Sequence, residues 1–146
     1  MKIYLDTCSL ERPWDIKSHA RIHLEAEAIL AVLTRCAEGQ ATLIASEVLQ
    51  FEIERIQDPL RSTHAFEALS KATSYIDATE AVLERAGHLR DSGILPLDAL
   101  HLASAIEAGA DFFCTCDDKF LRKAKRLSIE KTKIVTPLEL IMELGL

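Results

Sequence analysis

The chain has 146 residues, 49% hydrophobic and 27% charged, with 17 Lys and Arg against 23 Asp and Glu for a net charge of −6. That length suits one domain, able to bury roughly 68–70% of its unfolded surface without a disulfide or structural metal. The balance argues against nucleic-acid binding through bulk positive charge, and five Gly and four Pro are too few for a disordered or collagenous chain. No apolar run reaches the roughly 18 residues that a membrane helix needs. The start, Met1 to Asp6, meets an acid too early for a signal peptide. Cys8, Cys36, Cys114 and Cys116 contain no C-x-x-C pair and are expected to be reduced thiols of a cytoplasmic protein.

In chain order, Lys2–Leu5 reads as a strand ended by Asp6. A helix is predicted from about Ser18 to Glu38, with Ile22, Ala26, Ile29, Leu30 and Leu33 at helical spacing and Gly39 as its stop. Ala41–Ala45 is a second strand, and Ser46 caps a helix carrying Leu49, Phe51, Ile53 and Ile56. Asp58-Pro59 breaks it, and another helix is expected over Leu60–Ala72. A strand at Thr73–Ile76 and a helix at Thr79–Asp91 follow. Pro96 opens a helix that stops at Gly109, Asp111–Thr115 is a strand and Lys119–Arg126 a short helix. Ile134-Val135 is the last strand and Pro137 opens the last helix. Strands alternating with helices predict an α/β fold with a small, mostly parallel sheet between helices, spanning residues 1–146 as one domain. Right-handed crossovers bring the carboxyl ends of such strands to one edge.

Four acids are expected at that edge. Asp6 ends the first strand, Asp117 lies just past the strand ending near Thr115, Asp98 sits in a first helical turn, and Glu52 lies nearly two turns into its helix. Clustered carboxylates repel one another, so either one holds a proton or a cation sits among them. Mg2+ or Mn2+ is the fitting cation, because hard ions take oxygen ligands. Such ions activate water and polarise phosphoryl oxygens, which points to metal-dependent phosphodiester hydrolysis.

The segments Ile3-Tyr4-Leu5-Asp6-Thr7, Leu97–Ala105 with Asp98 near its start, and Thr115-Cys116-Asp117-Asp118-Lys119-Phe120 resemble, in order, the three signatures of PIN-domain nucleases. Size and layout are most similar to VapC-type toxins. Ile44–Glu52 resembles the family's strand and acid-bearing helix, and Ile134–Glu139 its closing strand and helix. The resemblance implies a three-layer α/β/α PIN fold and a Mg2+- or Mn2+-dependent endoribonuclease acting on single-stranded RNA. Asp6, Glu52, Asp98 and Asp117 match the family's acidic set, and Thr115 its supporting hydroxyl. A homodimer and a small antitoxin partner are also implied. Cys116 stands where Asn is frequent and Lys119 where a further Asp is frequent, and Leu10–Asp15 is not the plain apolar helix start of many toxins.

Each residue also has a plainer role open to it. Asp6 suits an Asx turn, Asp98 the positive end of a helix dipole, and Asp117 an N-cap. Glu47 and Glu54 rival Glu52, but Glu52 shares a helix face with Leu49 and Ile56. His101, three residues after Asp98, either bonds that carboxylate or packs as a structural histidine. Arg12 and Trp14 are open to RNA contact or to anchoring a loop. Lys119–Lys133 holds seven of the seventeen basic residues, a solvated face or a phosphate attractant. The alternative to a nuclease is a PIN-fold binding module with a weak or inactive metal site. An aspartyl-phosphate enzyme built on Asp6 lacks the second acid two residues later, where Cys8 stands.

Overall fold

The computed structural model describes residues Met1–Leu146. Five strands, β1 (Lys2–Leu5), β2 (Thr42–Ser46), β3 (Ser74–Ile76), β4 (Phe112–Cys114) and β5 (Lys133–Val135), form one sheet in the order β3-β2-β1-β4-β5. Every pairing is parallel. Eight α-helices flank it: α1 (Thr7–Glu11), α2 (Ala20–Ala37), α3 (Glu47–Glu54), α4 (Pro59–Leu69), α5 (Glu80–Asp91), α6 (Pro96–Glu107), α7 (Asp118–Lys125) and α8 (Pro137–Glu143). This is the α/β architecture that the alternating pattern predicts, with element ends displaced by a few residues.

The sheet is apolar because a parallel sheet covered by helices has no wet face. Ile3, Tyr4 and Leu5 of β1 are fully buried, as is Phe113 of β4. Tyr4 and Phe113 are register partners, and their rings stack with centroids 5.4 Å apart. Phe120 of α7 meets Phe113 edge-on at 5.5 Å. These side chains belong to one cluster of 33 buried residues that includes Leu102 of α6 and Leu140 of α8.

Strand order fixes where a site can form. The chain builds outward from β1 to β2 and β3, then returns to the other side of β1 with β4 and β5. The switch lies between β1 and β4, and crevices open beyond the carboxyl ends of strands at such a switch. Asp6 directly follows β1, and Thr115 to Asp117 directly follow β4.

Two features depart from the sequence reading. Residues 7–14, to which the sequence pattern assigns no element, are filled by α1 and a 3-10 turn at Arg12–Trp14. Asp6 caps α1 by accepting from Ser9 N at 3.0 Å. Leu30 and Phe51, expected among the apolar helix positions, are more than two-fifths exposed, whereas Glu25 of α2 is buried. Glu25 is reached by Arg12 at 3.3 Å and Arg21 at 3.5 Å, which offsets the cost of burying its charge.

Candidate functional site

Asp6, Glu52, Asp98 and Asp117 arrive on four different elements. Asp6 is buried, and its Oδ1 accepts from Ser9 N at 3.0 Å and from the Cys8 thiol at 3.0 Å. Asp117 caps α7, its Oδ1 accepting from Lys119 N at 3.0 Å and Phe120 N at 3.1 Å. The Thr115 hydroxyl, fully buried, accepts from Asp117 N at 3.1 Å and pins the turn that carries this acid. Glu52 lies in the last turn of α3, where its Oε1 accepts from the Thr7 hydroxyl at 2.7 Å and hydrogen-bonds His101 Nε2. Asp98 sits in the first turn of α6, the one of the four with no hydrogen bond of its own.

One oxygen of Asp6, Asp117 and Glu52 is thus held by the protein. The second oxygen of each, and both of Asp98, have no protein partner. No lysine or arginine forms an ion pair with any of the four; only His101, on Glu52, stands in that position. The acids nevertheless feel one another. Burial raises the Asp98 carboxyl from 3.8 to about 6, and the charges of Asp117, Asp6 and Glu52 push the same way, against a smaller opposing pull from His101. Burial also works against ionised Glu52, but His101 and Thr7 outweigh it and hold that carboxyl below its usual value.

The donor set is all carboxylate, the chemistry that Mg2+ or Mn2+ takes. No three of the acid, His or Cys side chains of the chain converge closely enough to enclose an ion on their own. Such a donor set suits Mg2+, which keeps several waters and often needs only one or two carboxylates. The residues therefore fit a hydrated divalent ion held at an open site, rather than a closed structural cage.

His101 is the functional neighbour that sequence spacing points toward the wrong partner. It lies one turn from Asp98 but bonds Glu52 through Nε2 and the Tyr4 hydroxyl through Nδ1 at 2.7 Å. Tyr4 in turn meets Ser46 Oγ at 2.7 Å, and Ser46 accepts from Leu49 N to cap α3. No periodicity within one element reports a contact between residues 49 positions apart.

Other candidates are engaged elsewhere. Asp118 is forked by Arg21 at 2.6 and 2.7 Å. Glu47 accepts from Ala78 N at 3.1 Å, and Glu54 is exposed. Trp14 stacks on His64 with centroids 4.6 Å apart, and Arg12 pairs with Asp15 and Glu25. Both serve loop anchoring. The four cysteines are unpaired. The Cys8 thiol donates to Asp6 Oδ1 at 3.0 Å, and the neighbouring Cys116, its own burial and the charge of Asp6 push it upward, so it stays a donor.

The profile of the PIN domain family matches residues 3–126 of this chain. No curated protein is significantly similar in sequence. Among solved structures, VapBC2 from Rickettsia felis, bound to a DNA fragment from their promoter, contains a chain with the same fold. That chain is 18% identical, the match covers 93% of this chain and 98% of that one, and the TM-score is 0.60.

Proposed function

Because the chain belongs to the PIN domain family, we propose that it is a divalent-metal-dependent endoribonuclease that cleaves phosphodiester bonds of single-stranded RNA. The observation that carries this reading is the unengaged oxygens of four acids whose charges act on one another beyond the ends of β1 and β4, with no lysine or arginine ion-paired to any of them. Asp6, Asp98, Asp117 and Glu52 would hold Mg2+ or Mn2+. Bound there, the ion would polarise a phosphoryl oxygen and make water more acidic.

The chain's own residues have distinct tasks. Asp6 and Asp117 are held rigidly through their capping bonds, so their free oxygens are oriented before substrate arrives. Glu52 is kept ionised by His101 and Thr7. Asp98 has both oxygens free and a carboxyl raised to about 6 by burial and by the neighbouring acids, which suits it to accept a proton from the attacking water. Lys119 and Lys123 line the same crevice as Asp98 and Asp117, and offer positive charge to the phosphates on either side of the scissile bond.

The likeness in fold to a VapBC2 chain supports a toxin of a toxin–antitoxin pair with a small antitoxin as partner. A homodimeric assembly and a cytoplasmic setting are proposed along with that role. The second reading, a PIN-fold binding module with an idle metal site, is favoured by one observation: no three side chains enclose an ion. Cleavage of labelled single-stranded RNA decides between them. With Mg2+ or Mn2+ the wild type cleaves, EDTA abolishes it, and Asp98→Asn lowers the rate about 10²–10⁴-fold, as loss of a general base does. Cleavage that survives in EDTA, or in both Asp6→Asn and Asp98→Asn, refutes the nuclease assignment to these acids.

A further inference from the structure

We infer that His101 is a positioning residue: clamped from behind by Tyr4, it fixes Glu52 Oε1 so that Glu52 Oε2 faces the acid cluster. The inference rests on the metal-site reading above and concerns how the chain prepares that site. Glu52 lies in the last turn of a helix of only eight residues and is partly exposed. A glutamate in that setting is free to rotate, and glutamate is among the side chains that lose the most freedom when ordered. Here it is gripped from two sides, by Thr7 of α1 and by His101 of α6. Both grips fall on the same oxygen.

The grip itself is built from the core outward. Tyr4 is fully buried in β1 and His101 is 2% exposed. The chain of contacts runs Ser46, Tyr4, His101, Glu52, Thr7, and it crosses β2, β1, α6, α3 and α1. Both ring nitrogens of His101 are engaged, so the ring can neither flip nor swing without losing a partner. A purely structural role for His101 accounts poorly for this. The Tyr4 hydroxyl already has Ser46 as partner at 2.7 Å. Glu52 is open enough to be satisfied by water. What His101 adds is direction. It also ties two acids together, because α6 carries both Asp98 and the residue that orients Glu52.

Calorimetric titration of the full chain with Mn2+ tests this, since it needs no turnover. A glutamine amide places its nitrogen near the position of Nε2, and an asparagine amide near that of Nδ1. His101→Gln keeps the donor to Glu52 and is expected to bind Mn2+ within about twofold of wild type. His101→Asn and His101→Leu lose it and bind about 10–100-fold more weakly, as loss of an outer-shell partner does. Tyr4→Phe, which removes only the backing hydroxyl, falls between wild type and His101→Asn. His101→Gln and Tyr4→Phe nearly conserve volume, whereas His101→Asn leaves a small void in a buried position, so the Gln and Phe variants carry the comparison even if His101→Asn or His101→Leu fails to fold. In cleavage assays His101→Asn lowers kcat and leaves KM for RNA unchanged. If the Gln, Asn and Leu variants bind Mn2+ alike, whether as wild type or equally weakened, His101 does not position Glu52. Asp98→Asn separates the two levels. Loss of binding there with unchanged binding in His101→Leu overturns the positioning role alone. Wild-type binding in Asp98→Asn overturns the acid site, and this inference with it.

Discussion

Asp98 stores the site's electrostatic conflict. Folding raises its carboxyl from 3.8 to about 6, through burial first and then the neighbouring Asp117 and Asp6. The folded chain therefore binds this proton more tightly than the unfolded one. The contribution to stability is fully present below pH 3.8 and is lost as pH rises through about 6, so that above it the metal-free fold carries the whole penalty. Because Asp98 is only partly buried, solvent screening reduces that penalty to roughly 1–2 kcal/mol. Asp98→Asn removes it. Thermal melts without metal should show the variant a few degrees more stable than wild type near neutral pH, with the gap closing as pH falls toward the ordinary carboxylate range. Saturating Mn2+ should stabilise the wild type and not the variant. A variant equally or less stable than wild type at neutral pH contradicts the crowding of acids around Asp98.

At the scale of elements, caps and candidate ligands coincide. Asp117 closes the start of α7 through its Oδ1 while its Oδ2 stays free. Asparagine caps as well as aspartate, and alanine does not. Asp117→Asn should therefore keep the melting temperature while abolishing RNA cleavage, whereas Asp117→Ala should lose about 1 kcal/mol as well. Equal stability of the two variants removes the cap, and normal cleavage by Asp117→Asn removes the site role. The same double duty explains what the sequence left hidden. Helix α1 has five residues, too few for an apolar period to show, and its one local signal is the spacing from Asp6 to Ser9. Glu25 sits three residues after Ile22 and four before Ile29, on the core face of α2, where a carboxylate is unexpected, and only the arginines from residues 12 and 21 make it tolerable there. The exposed Phe51 is covered by its own neighbour, with the Arg55 guanidinium 3.8 Å from the ring centroid.

Across the whole molecule, the alternation of strands and helices made the parallel sheet legible, because each strand is a short apolar run bounded by caps, prolines or glycines. Strand order is not written in that pattern. It is the order β3-β2-β1-β4-β5 that places the ends of β1 and β4 side by side and so joins Asp6 to Asp117 across more than a hundred residues. Charge distribution follows the same logic. The chain is acidic overall, yet Lys119, Arg122 and Arg126 at and beyond α7 make no ion pair, while Lys125 and Lys133 are tied to Glu139 and Glu143. The free cations of this stretch therefore begin beside the acid site. The central claim is that this edge of the sheet gathers Mg2+ or Mn2+ among four carboxylates. Crystals grown in or soaked with Mn2+ test it through anomalous scattering. The account predicts a peak at roughly 2.0–2.2 Å from carboxylate oxygens of the Asp6, Asp98, Asp117 and Glu52 cluster, completed by water. A map with strong Mn2+ peaks only elsewhere on the surface, or with none at saturating Mn2+, contradicts it.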